Sequence, residues 1–116
     1  MIIGVPSEIK PGERRVALVP SGVAAFVAHG HQVLVEQGAG LGSGIPDRAY
    51  RREGAKTVQS AKSVWSRAEL IIKVKEPMGN ELHWVRPDQV VYTYFHLASN
   101  QPLTQALLKK NVTAVA

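Results

Sequence analysis

Five short apolar runs rich in β-branched residues recur along this chain, separated by stretches of helical length. They occupy residues 2–5, 33–35, 70–74, 90–95 and 112–116, the first stopping at Pro6. Within each run the apolar residues are continuous rather than alternating, the pattern of strands buried on both faces of a parallel sheet. The intervening segments carry helix signals. Pro20-Ser21 opens one helix with Val23, Phe26 and Val27 on a single face, and Gly30 is placed to end it. Asp47 is placed to cap a short helix over residues 49–52 that closes at Gly54, and Ser60 to cap another through Val64 and Trp65. Gln101-Pro102 starts a last helix bearing Leu103, Ala106, Leu107 and Leu108. The expected fold class is therefore α/β: an open, mostly parallel sheet with flanking helices joined by right-handed crossovers, Rossmann-like or flavodoxin-like.

Composition narrows the function classes. The chain has 116 residues, enough for one domain and too few for two of ordinary size, and no cysteine, which removes disulfides, thiolate metal sites and a cysteine nucleophile. Fourteen Lys+Arg against nine Asp+Glu give a net charge of +5, which favours anionic ligands in general. The basic residues fall in scattered pairs, Arg14-Arg15, Arg51-Arg52 and Lys109-Lys110, with few aromatics beside them, so a small acidic substrate explains the balance as well as nucleic acid does. No apolar stretch approaches the ~20 residues of a membrane span, and no signal-peptide core follows Met1. A cytoplasmic location is the expectation. The final apolar run ends without a turn or polar tail, and the native polypeptide is expected to continue beyond it.

In open α/β sheets, ligands bind beyond the carboxyl ends of the strands. Past the first run lies Glu8-Ile9-Lys10-Pro11-Gly12-Glu13-Arg14-Arg15-Val16, past the third Lys75-Glu76-Pro77, and past the fourth His96. Arg15, Lys75 and His96 would then share one edge of the sheet. Arginine offers a planar fork for a carboxylate, lysine a mobile point charge, and histidine a proton exchanged near neutral pH. Each type also has an ordinary structural use: a loop arginine as a solvated charge, Lys73 or Lys75 as a snorkelling strand residue, His96 as a bonded core residue. His29 and His31 flank Gly30 and read as surface or capping groups, and neither they nor His83 show metal-ligand spacing. The stretch from Gly38 to Gly44 follows a strand but fails the G-x-G-x-x-G frame, which would need glycine at Ser43 or Ile45, so it reads as a structural loop without a dinucleotide fingerprint.

The ordered set Ile3-Gly4-Val5-Pro6, Glu8-Ile9-Lys10, Glu13 to Leu18 and Gly38 to Gly44 resembles the start of the alanine dehydrogenase and nicotinamide nucleotide transhydrogenase family. Lys73-Val74-Lys75-Glu76-Pro77 and Thr93-Tyr94-Phe95-His96-Leu97-Ala98 resemble the alanine dehydrogenase branch. Transhydrogenase relatives lack the histidine-bearing stretch and remain the alternative. The resemblance spans essentially the whole chain. It implies NAD-dependent oxidation of L-alanine to pyruvate and ammonia, and the reverse. Arg15 matches the arginine that holds the substrate carboxylate, Lys75 the lysine that contacts and polarises the substrate, and His96 the acid/base histidine. Ser7 departs from a lysine common in relatives. Family members are about three times longer, with a separate NAD-binding domain and a homo-oligomeric, hexameric assembly. Residues 1–116 are thus expected to be the N-terminal portion of the substrate-binding catalytic domain, with no cofactor or metal site of their own and inactive in isolation. A non-catalytic interaction module is the remaining alternative.

Overall fold

A computed structural model describes residues 1–95, 97 and 100–116. The elements run β1 (Ile2–Val5), α1 (Pro20–Ala28), β2 (Gln32–Glu36), α2 (Asp47–Arg52), β3 (Lys56–Val58), α3 (Ala61–Arg67), β4 (Leu70–Lys75), α4 (Glu81–Trp84), β5 (Val90–Tyr94), α5 (Gln101–Lys109) and β6 (Thr113–Val115). All strands pair in parallel in the order β3-β2-β1-β4-β5-β6. This is the doubly wound order, with its reversal between β1 and β4.

Two apolar clusters lie on opposite faces of the sheet. One face packs α1 and α2 against Ile3, Val5, Val33 and Val35, with Val23 and Tyr50 fully buried. The other packs α3, α4 and α5 against Ile71, Val91 and Phe95, with Trp65 at 0% exposure. Gly4 lets α3 lie directly on β1. A Cβ there would stand 2.7 Å from both Ala68 Cβ and Val64 Cγ1, closer than packed atoms tolerate.

The helix signals are largely realised. Pro20 begins α1, and the chain leaves it through Gly30 at φ 86°. Ser60 caps α3 by accepting a hydrogen bond from Ser63 N at 3.2 Å, and Asn100 caps α5 by accepting from Leu103 N. Arg86 and Gln89 close the other end of α3, donating to the Trp65 and Ala68 carbonyls.

Several expectations are corrected. Asp47 is the first residue of α2 rather than its cap, and its Oδ1 accepts from Gly38 N at 2.9 Å. Strand β3 was not anticipated. It is a three-residue edge strand that begins with exposed Lys56, so no apolar run marks it. Strand β5 alternates rather than being buried on both faces, with Tyr92 and Tyr94 exposed, and β6 is exposed throughout. The cause is the winding. Helices α1 and α2 pack mainly over β1–β3, and among the described residues no helix packs over the Tyr92 and Tyr94 side of β5. Of the leucines on α5, Leu103 and Leu107 are buried and Leu108 is 76% exposed.

Candidate functional site

Strands β1 and β4 pair at the reversal of strand order through Ile3–Leu70 and Gly4–Ile71, and the loop of residues 6–19 leaves β1 beyond that pairing. Three acid–base pairs fill the crevice. Lys10 Nζ donates to Glu76 Oε1 at 2.8 Å. Lys73 Nζ lies 3.3 Å from both Glu8 Oε1 and Glu81 Oε2, with the Lys73, Glu8 and Glu81 side chains 1%, 3% and 1% exposed. Burial pushes the Glu81 carboxyl above its ordinary range, against the pull of the Lys73 charge. Lys73 therefore does not snorkel. It is held between two carboxylates, the condition that makes a buried ammonium tolerable.

Nearer the surface, Arg15 Nε and Nη2 donate to the two Glu13 oxygens at 2.9 and 2.7 Å, and Arg15 N donates to Glu13 Oε2 at 2.9 Å. These bonds, first the side-chain pair and then the backbone one, hold the Glu13 carboxyl down to about 2, with the Lys75 charge adding to them. The Arg15 side chain remains 63% exposed. Lys75 ends β4 on the same side of the strand reversal, and its charge reaches the Glu13 carboxylate only as the smallest of the named influences. The Arg15 fork already holds one carboxylate, that of Glu13, through two side-chain bonds, the geometry that suits a small carboxylate. His96 lies outside the described residues.

Arg15 also borders a cavity of about 340 Å³ whose wall includes Val16, Ala17, Ile72, Val74, Tyr92 and Tyr94. This places the arginine beside the exposed tyrosine face of β5. The glycine-rich stretch supports the same loop from below. Ser43 Oγ donates to Arg14 O at 2.9 Å, and a Cβ on Gly42 would sit 2.7 Å from that oxygen. Tyr50, fully buried, donates to Leu18 O at 2.7 Å and ties down the loop's other end. Its desolvated hydroxyl is pushed up to about 12.

His29 and His31 are engaged within the fold. His29 Nδ1 donates to Ala25 O at 2.8 Å, and the His31 ring meets Phe26 edge-on. Among the described residues, no group of three or more His, Asp or Glu side chains could hold a metal, and no helix is long and apolar enough to cross a membrane.

The residues present do not fit a dinucleotide. The tight glycine turn from β1 into a helix, which a pyrophosphate needs, is replaced by the loop of residues 6–19 with Glu8 and Glu13 in it. The close approach that Gly42 allows is taken by Arg14, and that at Gly40 by Ile45 and Tyr50.

Strand order and crevice define a doubly wound α/β domain whose reversal point holds a carboxylate-type charge cluster instead of a phosphate cradle. The comparisons with known proteins identify the family. The model for "Alanine dehydrogenase/PNT, N-terminal domain" matches residues 4–116. An alanine dehydrogenase of Methanococcus maripaludis is 52% identical over 116 residues, 100% of this chain and 31% of that protein. The solved structure of an L-alanine dehydrogenase superposes with a TM-score of 0.97 at 47% identity, covering 100% of this chain and 32% of the other. A transhydrogenase from Sinorhizobium meliloti superposes with a TM-score of 0.91 at 32% identity, over 98% of this chain and 32% of the other. The chain belongs to the alanine dehydrogenase/PNT N-terminal domain family. It spans about a third of the length of the relatives it matches.

Proposed function

We propose that residues 1–116 are the substrate-side portion of an NAD-dependent L-alanine dehydrogenase, interconverting L-alanine with pyruvate and ammonia. The observation that supports this reading is the Arg15 fork closed on the Glu13 carboxylate, on the loop that leaves β1 next to β4, the strand that ends at Lys75. In the proposed reaction Arg15 grips the substrate carboxylate through its fork, giving up Glu13 to do so. Lys75 places a positive charge by the substrate oxygen, where charge develops on the path to the carbonyl. His96 exchanges the proton, a role suited to imidazole near neutral pH. The nicotinamide dinucleotide, which supplies the hydride chemistry when bound, is held in this proposal by polypeptide outside these 116 residues. The full enzyme is taken to be a cytoplasmic homo-oligomer, hexameric as the family resemblance implies.

A chimera tests this reading. This chain replaces the matching first third of the Methanococcus maripaludis enzyme, and alanine-dependent NADH production is measured. Activity is expected, with Arg15→Ala, Lys75→Ala and His96→Ala each reducing kcat/KM by about 100-fold or more, in line with loss of a positioned charge or proton-transfer group. Near-normal turnover by His96→Ala would remove it from the proton-transfer role. The likeness to the Sinorhizobium meliloti transhydrogenase supports a second reading. Hydride exchange between NAD(H) and NADP(H) without alanine turnover would favour it.

A further inference from the structure

The register of β4 against β5 contains one extra residue. Ile72 pairs with Tyr92, and the next recorded pair is Lys75 with Tyr94, so three steps on β4 match two on β5. An irregularity of this kind is a bulge, and bulges re-aim the side chains that follow them. The parity decides which face Lys75 takes. In an uninterrupted strand it would fall with Ile71 and Lys73, on the face covered by α3, α4 and α5. The bulge instead pairs it with Tyr94, on the face that carries Ile72, Tyr92 and the Arg15 cavity.

Glu8 holds that bulge. Its Oε2 accepts from Val74 N at 2.9 Å and its Oε1 from Lys75 N at 3.0 Å. Consecutive amides in a regular strand point toward opposite neighbours, whereas these two converge on one carboxylate. The recorded pairing of β1 with β4 ends at Gly4 and Ile71, so the carboxylate stands where a strand partner would be. Lys73 Nζ contacts the same Oε1 at 3.3 Å, and the Glu8 side chain is 3% exposed. A one-residue slip in β4 would carry Lys75 to the far face.

We propose that Glu8 is a positioning residue. By accepting the Val74 and Lys75 amides it fixes the β4 bulge and thereby sets Lys75 on the Arg15 side of the sheet. The consequence for catalysis rests on the function proposed above, whereas the placement of Lys75 does not, and the test keeps the two apart.

The first arm uses the 116-residue chain. Nuclear Overhauser contacts between the Lys75 methylenes and the Tyr94 ring are expected in the unmodified chain and lost in Glu8→Gln. Glu8→Asp, which keeps the charge opposite Lys73 but is one methylene short, serves if the glutamine variant does not fold. Contacts that persist in a folded Glu8 variant overturn the proposal. The second arm is a double-mutant cycle in the chimera. Glu8→Gln is expected to lower kcat/KM for L-alanine by about 10- to 100-fold, the scale of a small misplacement of a catalytic group. In a Lys75→Ala background it should lower it less than about twofold, the usual margin of additivity. Equal losses in both backgrounds would show that Glu8 acts only as a structural support. An inactive unmodified chimera would overturn the proposed function, and the first arm alone would then decide the positioning role.

Discussion

The Glu13 carboxylate occupies the arginine fork that a substrate carboxylate would need, and its titration measures how firmly. Its folded value of about 2 lies below the ordinary ~4.3. The contact therefore favours the folded arrangement above the ordinary value and is lost as the pH falls from there toward 2. In Arg15→Ala the Glu13 midpoint is expected to rise into the ordinary carboxylate range, read from its side-chain carboxyl ¹³C shift. A midpoint unmoved near 2 would show that Arg15 is not what depresses it. At this scale, residue type and position beyond the apolar runs only nominate Arg15 and Lys75, and the family resemblance singles them out from neighbours such as Arg14 and Lys73. The roles of Glu8 and Glu81 were not legible. Their partner Lys73 lies 65 residues from Glu8 in the chain, and residue type says nothing about which distant ammonium a carboxylate meets.

Helix α3 is the crossover that carries the chain from β3 to β4, and Trp65 is its anchor in the second core. Replacing this fully buried indole with alanine should cost about 3–5 kcal/mol in a urea unfolding experiment. Helix α2 makes a different kind of tie. Tyr50→Phe removes the donor to Leu18 O and leaves that carbonyl short of a partner, a loss of about 1–3 kcal/mol. It also changes the alkaline limb. The Tyr50 hydroxyl titrates at about 12 when folded and near 10 when unfolded, so its stabilisation is full below pH 10 and lost as the pH rises toward 12. Stability measured across that window should fall less steeply for Tyr50→Phe than for the parent. The longer elements were readable because apolar period and caps agree, as at Pro20 and Ser60. β3 and α4 were not, at three and four residues. The β4 bulge leaves no mark in Leu-Ile-Ile-Lys-Val-Lys, since the extra residue exists only relative to β5.

For the whole molecule, the strand order and the missing glycine cradle point the same way. On the proposed function, the 116-residue chain by itself should neither bind NADH tightly nor oxidise L-alanine. Alanine-dependent NADH production by the purified, mass-verified chain would refute this. Alternation of strand and helix was enough to read the parallel α/β class, because continuous apolar runs demand cover on both faces. The same rule misread β5 and β6. It assumes that both faces are covered, and the doubly wound path leaves one quadrant bare, where Tyr92, Tyr94 and Val115 meet solvent.

The two tryptophans of the chain both pack in the core beneath α3, α4 and α5. Arg15 and its cavity lie toward the opposite face, walled by tyrosines rather than indoles. Intrinsic emission excited at the indole edge will therefore follow the melting of one half of the molecule and stay silent to a carboxylate arriving at the other. A tryptophan placed at Tyr92 would give that side its own optical reporter.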